Sequence, residues 1–265
     1  MITSNLFSDS SSRRITGHKG IFSVIEFERD ISVSPEMAQE AYFASEMNVR
    51  KRQLVAELSD ACGAIVQAGE MQLMLGDIEV TTNVRGASDL LKKFVGSRVT
   101  GETTIKPYYT GCGTLVLEPT YKYILLEDVG EWASGIVVED GMFLACEDTV
   151  DMQITSRQTA SSLLLGHEGI WNTTFTGRGV VALESPVPAE EAIVVDLKED
   201  TVKIDGSMAI AWSPELKFTV EKTTSTLIGS WASGEGFVNV YSGTGRVLIA
   251  PVRRNRGISS PEERR

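Results

Sequence analysis

Hydrophobic residues along the chain fall into short runs of four or five positions that are rich in branched and aromatic side chains. Examples are the runs Tyr123–Leu126, Ala192–Val195 and Phe237–Tyr241. Gly, Asp or Pro residues separate the runs, and this punctuation is typical of strands joined by tight turns. The pattern therefore predicts an all-β protein.

Three segments of the chain read alike and recur at a fixed spacing. Each has an aromatic residue, a Ser or Thr and a Gly-x-Gly unit, followed by a new apolar run. The first glycines, Gly111, Gly177 and Gly243, are 66 residues apart. A fixed period of this kind indicates structural repeats. We predict three pseudo-equivalent repeats of short strands, over residues 59–119, 120–186 and 187–252.

The glycines of these segments are predicted to form turns inside each repeat, because Gly accepts the positive φ that tight turns require. Asp140-Gly141 and Asp205-Gly206 also lie between apolar runs, and Asp-Gly pairs are strong hairpin signals. We expect a hairpin at each pair and a β-sandwich or double-stranded β-helix overall. The predicted structural turn residues are Gly111, Gly113, Gly177, Gly179, Gly243 and Gly245.

The region before the repeats has a different pattern. Ser34, Pro35 and an acid in the next position make a good helix start. The sequence predicts an amphipathic helix over 35–48 within an N-terminal extension, 16–58, with strands near 21–28 and 53–58. Its methionine-containing face is expected to pack on the first repeat, with a partner subunit as the alternative. Both polar ends are expected to be flexible, over residues 1–15 and 253–265.

The first repeat is longer than the others, and the extra residues fall in segment 84–96. Ser88 or Asp89 could cap a short helix there, with Leu90 and Phe94 on its apolar face. A plug packed on the protein's own strands is the first interpretation of this helical insert. A lid, a partner-binding helix and a peripheral membrane contact stay open as alternatives.

Charge is distributed unevenly. The chain has a net charge of −11, and residues 118–206 hold 17 acids and 5 bases. An acidic segment of this kind repels a phosphate backbone, so we expect no nucleic-acid partner. No run of about 18 apolar residues is present, so no transmembrane segment is expected. Three isolated cysteines are predicted to be reduced and buried, in an acidic cytoplasmic protein: Cys62, Cys112 and Cys146.

Residues suited to catalysis are scarce. The chain has two histidines, His18 and His167, and neither belongs to a zinc or nucleophile motif. The Gly-x-Gly units lack the Lys and the following helix of a phosphate-binding loop. We therefore expect no catalytic residue, no cofactor and no enzymatic activity.

Two small sets of residues are weak candidates for binding. Trp132 and Trp231 each begin a Trp-Ala-Ser-Gly segment, and they are the candidates for stacking on a ligand. A carboxylate precedes each aromatic-Gly unit, and backbone hydrogen bonding in a turn is its first interpretation. A cation held between the three carboxylates is the alternative. These carboxylates are Glu102, Glu168 and Glu235.

Several segments resemble, in order, a bacterial family related to the mitochondrial biogenesis protein of the altered-inheritance-of-mitochondria set. The resemblance covers about 60–252. It implies a fold like that of the tryptophan RNA-binding attenuation protein, triplicated in one chain, and homo-oligomers, but it carries no catalytic residues. The matching segments are Gly63–Gly76, Leu183–Pro186, Asp205–Trp212 and Gly234–Gly245.

These observations lead to two hypotheses about function. The first is a non-catalytic, soluble assembly or scaffold protein that works as a homo-oligomer, because repeats of short strands leave edges that subunit contacts can cover. The alternative is a small-ligand binding or sensor module with a pocket between repeats. The biological process and the partner proteins do not follow from the sequence.

Overall fold

The computed structural model describes residues 2–8, 10–82, 106–157, 170–205, 208–222 and 237–252. These residues form sixteen β-strands, one α-helix and two short 3-10 helices, and the strands build two antiparallel sheets. The all-β class is confirmed. The helical insert predicted at 84–96 and the tail 253–265 lie outside the described residues.

The N-terminal region forms a three-stranded meander. Strand β1 (Arg13–Lys19) pairs with β2 (Phe22–Phe27), and β2 pairs with β3 (Lys51–Leu58). A 3-10 helix, Pro35–Met37, leads into helix α1 (Ala38–Glu46), which lies between β2 and β3 in the chain. Residues 13–15, expected to be flexible, belong to β1 instead, because their backbone pairs with that of β2.

Helix α1 does not bury its apolar side chains in the way expected. Of its nine residues, Ser45 alone is buried. Met37 is 48% exposed and Met47 is 75% exposed, so the methionine-containing face does not pack on the first repeat. The apolar positions are few and spread around the helix, and its hydrophobic side is too weak to direct packing.

The remaining strands fall into three units that follow one another along the chain. Unit 1 contains β3 and then β4 (Ala64–Val66), β5 (Met71–Thr82) and β6 (Pro107–Leu117). Unit 2 contains β7 (Tyr123–Asp128), a 3-10 helix (Val129–Glu131), β8 (Ile136–Val138), β9 (Phe143–Glu147), β10 (Val150–Arg157), β11 (Ile170–Gly177) and β12 (Val180–Ser185). Unit 3 contains β13 (Ile193–Asp205), β14 (Ala209–Trp212), β15 (Lys217–Lys222) and β16 (Phe237–Ile249).

Each unit is built around a central strand that changes neighbours halfway along. In unit 1 the first half of β6 lies between β4 and the end of β5, and its second half lies between β3 and the start of β5. In unit 3, β16 has β13 along one edge and β15 then β14 along the other. In unit 2 the two halves are separate strands, β11 and β12. Because β3 pairs with the central strand of unit 1, that unit begins at residue 51 rather than 59.

The repeated glycines lie where the central strand changes neighbours, and this corrects the prediction that they form turns. β6 and β16 continue through these glycines without interruption. Gly111 has a φ of 104°, and a Cβ there would lie 2.3 Å from the Asp77 carbonyl oxygen of β5. Glycine is required because the bent central strand and its neighbour approach too closely for a side chain. In unit 2 alone, among the described units, the central strand is interrupted, between Gly177 and Gly179, and so forms the two strands β11 and β12.

Two further contacts join the units. β4 of unit 1 pairs with β9 of unit 2, and β8 of unit 2 pairs with β14 of unit 3. β13 pairs with both halves of β16 and so occupies the first and second positions of unit 3, which places β14 in the third position. With the strands placed in this way, both pairings follow one rule, in which the second strand of a unit pairs with the third strand of the next unit. We call them joints. Unit 2 consequently contributes strands to both sheets, with β9 and β12 in one and β8 and β11 in the other.

The Asp-Gly pairs do not form the expected hairpins. Asp140 and Gly141 do lie in a turn between β8 and β9, but these two strands belong to different sheets and do not pair. Asp205 is the last residue of β13 and Gly206 lies outside the described residues, while β13 and β14 both pair with β16 rather than with each other. The turn predicted at 140–141 is present. The pairing of the two flanking strands, however, depends on the buried packing between units and not on the turn residues.

Candidate functional site

An unpaired, apolar strand edge is the first candidate site. β5 is twelve residues long and pairs with β6 alone among the strands of the described residues. No described strand pairs with its outer edge, and an edge of this kind is one that another chain can extend. Its side chains are unusually apolar for an exposed strand. The exposed ones are Met71 (39% exposed), Leu73 (44%), Met74 (37%) and Val80 (43%).

A second apolar surface surrounds helix α1. Tyr42 and Phe43 are both more than half exposed, and their rings touch edge to face with centroids 5.5 Å apart. Single exposed apolar side chains are ordinary in proteins, whereas several in one short segment favour a contact surface. The other exposed apolar residues near this helix are Ile31, Met37, Met47 and Val49.

A polar groove of about 440 Å³ lies between the N-terminal meander and β7. At its base is Glu26, a carboxylate on β2 whose side chain is 8% exposed. Its Oε1 accepts from Arg50 Nη1 at 2.8 Å, and its Oε2 accepts from Arg52 Nε at 3.0 Å. Arg14 Nη2 lies 3.6 Å from Oε1, at the rim. Three guanidinium groups therefore surround one buried carboxylate.

The side chain of Arg52 is fixed by contacts with several other residues. It is 3% exposed, and its guanidinium carbon lies 4.0 Å from the centre of the Tyr123 ring of β7, in cation–π contact. Its Nη2 donates to Asn48 Oδ1 at 2.7 Å, and the Tyr123 hydroxyl donates to the Asn48 carbonyl oxygen at 3.2 Å. This network ties the N-terminal meander to unit 2. This full set of contacts makes Arg52 a structural residue. Arg14 is half exposed at the rim, where its Nε also pairs with Glu28 Oε1 at 3.0 Å.

The far end of the groove carries a carboxyl group with a perturbed pKa. Burial raises the pKa of Glu127 above its usual value, and a hydrogen bond from Trp132 partly offsets this effect. The indole Nε1 of Trp132 donates to Glu127 Oε2 at 3.1 Å. The groove lining contains four Arg or Lys side chains against three Glu, in a protein of net charge −11. The lining therefore carries an excess of one positive charge on an acidic molecule, and its Arg14 and Lys19 also pair with Glu28 and Glu131 beside it.

The family is decided by comparison with known proteins. The model of a family described as "Mitochondrial biogenesis AIM24" matches residues 45–252, which is most of the chain. The chain belongs to this family. The match confirms the resemblance inferred from the sequence and extends it toward the N-terminus, to include β3.

One solved relative supports the fold of this AIM24-family chain. It is an X-ray crystal structure of a protein from Streptococcus pyogenes, 23% identical in sequence, with a TM-score of 0.57. The match covers 78% of this chain and 90% of that one. At this identity the similarity shows the fold alone. No curated protein matches the chain. The similarity to the attenuation protein stays a prediction.

The binding residues predicted from the sequence fare unevenly. Trp132 is 3% exposed and contacts the groove only through Glu127, so its ring is not available for stacking. Among the described residues, no three His, Cys, Asp or Glu side chains cluster as metal ligands. The other candidates lie outside the described residues: Trp231, Glu102, Glu168 and Glu235.

The cysteines differ from one another in environment. Burial raises the pKa of Cys146 to about 12 and that of Cys62 to about 11, so both thiols stay protonated and unreactive near neutral pH. Cys112 was expected to be buried, but it is exposed, with its Sγ 3.3 Å from Asp60 Oδ1. Its side chain projects from the part of β6 that bends at the glycines, beyond the packed core.

Sequence reasoning missed the groove around Glu26. Two signals pointed to it. Glu26 interrupts an otherwise apolar strand, and Arg50 to Arg52 form a basic triplet just before another apolar strand. A charge inside a buried strand requires a partner of opposite sign, because burying an unpaired charge is costly. The pairing between β2 and β3 was needed to bring these residues together.

Proposed function

We propose that this AIM24-family protein is a non-catalytic assembly or scaffold protein that works as a homo-oligomer. The observation that carries the proposal is the edge of β5, where unpaired backbone groups coincide with exposed apolar side chains. Proteins that stay monomeric protect long edges with charges, prolines or a covering segment. In β5 the first five positions, Met71 to Leu75, carry no charge.

Exposure on this scale favours burial by another chain. A second copy is the simplest partner, because most oligomers contain identical subunits related by closed symmetry. The surface around helix α1 supplies a further apolar contact for protein partners. The acidic middle segment disfavours nucleic acid as the partner. Within the described ranges the helices are too short and too polar to cross a bilayer. We propose that the assembly works in the cytoplasm.

Native mass spectrometry of the protein purified gently from its own host tests this proposal. We expect one mass at a whole multiple of 28.9 kDa, and light scattering should give the same value in solution. A monomer at every concentration, with no protein partner retained in a native pull-down, would overturn it.

The groove around Glu26 favours a second candidate function, which is the binding of a small anionic ligand. Its volume lies in the range of small-molecule sites, and apolar side chains such as Val24, Leu125 and Pro188 line it beside the guanidinium groups. This composition fits a carboxylate or phosphate with an apolar portion.

Calorimetric titration with octanoate, a carboxylate with an apolar tail, tests the ligand proposal. Arg14→Gln should weaken binding, because it removes the half-exposed guanidinium charge at the rim, which pairs with Glu26 and Glu28 in the free protein. Lys217→Gln, which removes an exposed charge from β15 far along the chain, is the matched control. Absence of binding by the wild type, or equal affinity in both variants, contradicts the proposal.

A further inference from the structure

The two joints between units show how one unit recognises the next. In the first joint Ile65 faces Cys146 and Val66 faces Ala145. In the second, Val137 faces Trp212 and Val138 faces Ala211. Both joints are antiparallel and pair the outer edge of a unit's second strand with the outer edge of the next unit's third strand. A chain of three units has two such joints and leaves two edges of the same kind unfilled.

Pairing with the central strands identifies the unfilled edges residue by residue. Tyr109, Phe175 and Tyr241 are equivalent, and they face Ala64, Ile136 and Val202. The second strand of unit 3 is therefore the end of β13, residues 201–205. The same comparison on the other edge of the central strands equates Cys146 and Trp212 with Met74. The third strand of unit 1 is the start of β5, residues 71–76.

Both of these strands are free on their outer edges in the described part of the chain. β13 pairs with β16 alone and β5 with β6 alone. They coexist in one chain without pairing to each other. Among the described strands neither edge has a partner, and a second copy of the chain offers the complementary edge to each.

We propose that the start of β5 in one copy of the chain pairs with the end of β13 in a second copy. This pairing would be a third joint, formed between two molecules instead of within one chain. This proposal rests on the homo-oligomer proposed above and names its interface. It continues an interface that the chain already forms twice internally. Main-chain hydrogen bonds along an added strand are an established means of recognition.

The register of this joint follows from the two internal ones. Lys203 takes the place of Ile65 and Val137, so it faces Met74. On either side Ile204 faces Leu73 and Val202 faces Leu75. No like charges meet over these positions, and apolar side chains predominate. Asp200 would face Asp77 further along, and this repulsion limits the joint to the segment 201–205.

The contact is head to tail, because two different edges meet. Each copy offers both edges, so two copies can exchange them reciprocally, or several copies can close a ring. Either arrangement covers the exposed apolar side chains at the start of β5. The joint thus accounts for the most unusual surface of the molecule.

Charge substitutions at the central pair test the register. Met74→Lys places a lysine directly opposite Lys203 and should raise the dissociation constant of the oligomer on the order of fivefold per joint. Met74→Glu, the matched control, introduces a charge of the opposite sign and should cause no such rise. The double variant Met74→Lys/Lys203→Glu restores an opposite-charge pair and should recover most of the wild-type assembly, with a small loss because Lys203→Glu also removes the exposed ion pair with Glu221. Sedimentation velocity over a concentration series measures all four proteins.

The possible results distinguish the proposed joint from the homo-oligomer proposal on which it rests. An oligomer that responds equally to Met74→Lys and Met74→Glu, or that the double variant fails to restore, assembles through another surface. The homo-oligomer would then stand and the proposed joint would not. A wild-type chain that is monomeric throughout removes both.

A disulfide cross-link tests which molecule supplies the partner strand. Facing positions in an antiparallel pair have Cα atoms about 4.5–5.5 Å apart, within the range of a disulfide. In a Cys112→Ser background, a mixture of Met74→Cys and Lys203→Cys proteins should oxidise to a covalent dimer containing one of each. Lys217→Cys in place of Lys203→Cys is the control and should give none. If the Met74→Cys/Lys203→Cys double variant forms its disulfide within one chain, the chain closes on itself and the proposal is wrong.

Discussion

Strand β9 and the start of β5 occupy the same position in their units, yet their surroundings are opposite. Every residue of β9 is buried, whereas four of the first five residues of β5 are exposed. β9 has a neighbour on each edge, β12 and β4, while β5 has β6 alone among the described strands. The difference teaches that position within a unit does not determine burial in this fold. What determines it is whether the second strand of a preceding unit pairs with that edge.

Among the described strands, the open edges at the joint positions belong to the outer units, in β5 and β13, and β7 and β10 of the middle unit end their sheets. The middle unit itself links the two sheets. Its long strands are divided, with β9 separate from β10 and β11 separate from β12. The corresponding strands β5 and β6 in unit 1 are continuous. Dividing the strands lets unit 2 send one half of its central strand into each sheet.

Truncating a side chain of β9 should have the largest effect on stability. Phe143 is 3% exposed and stacks on Phe175 with ring centroids 5.4 Å apart. Phe143→Ala should lower the free energy of unfolding by about 3–5 kcal/mol, through lost burial and the cavity left behind. Leu73→Ala at the exposed edge of β5 should change it by about 0.5 kcal/mol. Urea denaturation of both variants, at concentrations where the chain is monomeric, measures the contrast. Similar losses in the two variants would contradict it.

Glu147, the last residue of β9, should have the next largest effect. Its carboxylate accepts hydrogen bonds from the backbone nitrogens of Ile21 and Val180, both at 2.9 Å. These two bonds connect the turn between β1 and β2 with the interruption between β11 and β12. Glu147→Ala leaves two backbone donors without their acceptor and should cost about 2–4 kcal/mol of stability. Glu79→Ala, on the exposed part of β5, removes a solvated carboxylate and should cost almost nothing. Equal stability of the two variants in thermal and urea unfolding would show that Glu147 does not fasten the break.

The repeat could be read from the sequence because its chemistry is local. Gly111, Gly177 and Gly243 all have a positive φ, between 92° and 126°, which favours glycine over other residues, so their 66-residue spacing persists as a pattern. The pairing of strands could not be read, because β8 and β9 flank a good hairpin turn and still enter different sheets. The groove around Glu26 could not be predicted from the sequence for the same reason. Glu26 and Arg52 meet only through the register of β2 and β3.

A polar side chain in the middle unit should respond in the opposite direction to Glu147. Asn172 of β11 is 2% exposed, and neither its Oδ1 nor its Nδ2 has a hydrogen-bond partner among the described residues. Asn172→Val replaces this unsatisfied amide with a branched apolar side chain suited to a strand. It should raise the free energy of unfolding by about 1 kcal/mol. Thr174→Val, two residues along the same strand and half-buried, is the matched control with a smaller expected change. A loss of stability in Asn172→Val would mean that the amide is needed there.

The smallest effect is expected at Glu127 on β7, and it depends on pH. Burial raises the pKa of this carboxyl in the folded protein, so the folded state holds the proton more tightly than the unfolded chain does. Stability contributed by this group is therefore complete below the unfolded pKa, and it is lost as pH rises through the folded value. Glu127→Gln keeps an oxygen acceptor for Trp132 and carries no charge. The variant should match the wild type at acidic pH and exceed it slightly, by a few tenths of a kcal/mol, at neutral pH. Glu79→Gln on β5 should show no such crossover. Unfolding free energies of the three proteins from pH 4 to pH 8 decide the matter, and a wild type that gains on Glu127→Gln as pH rises would mean that the Trp132 hydrogen bond outweighs burial at this site.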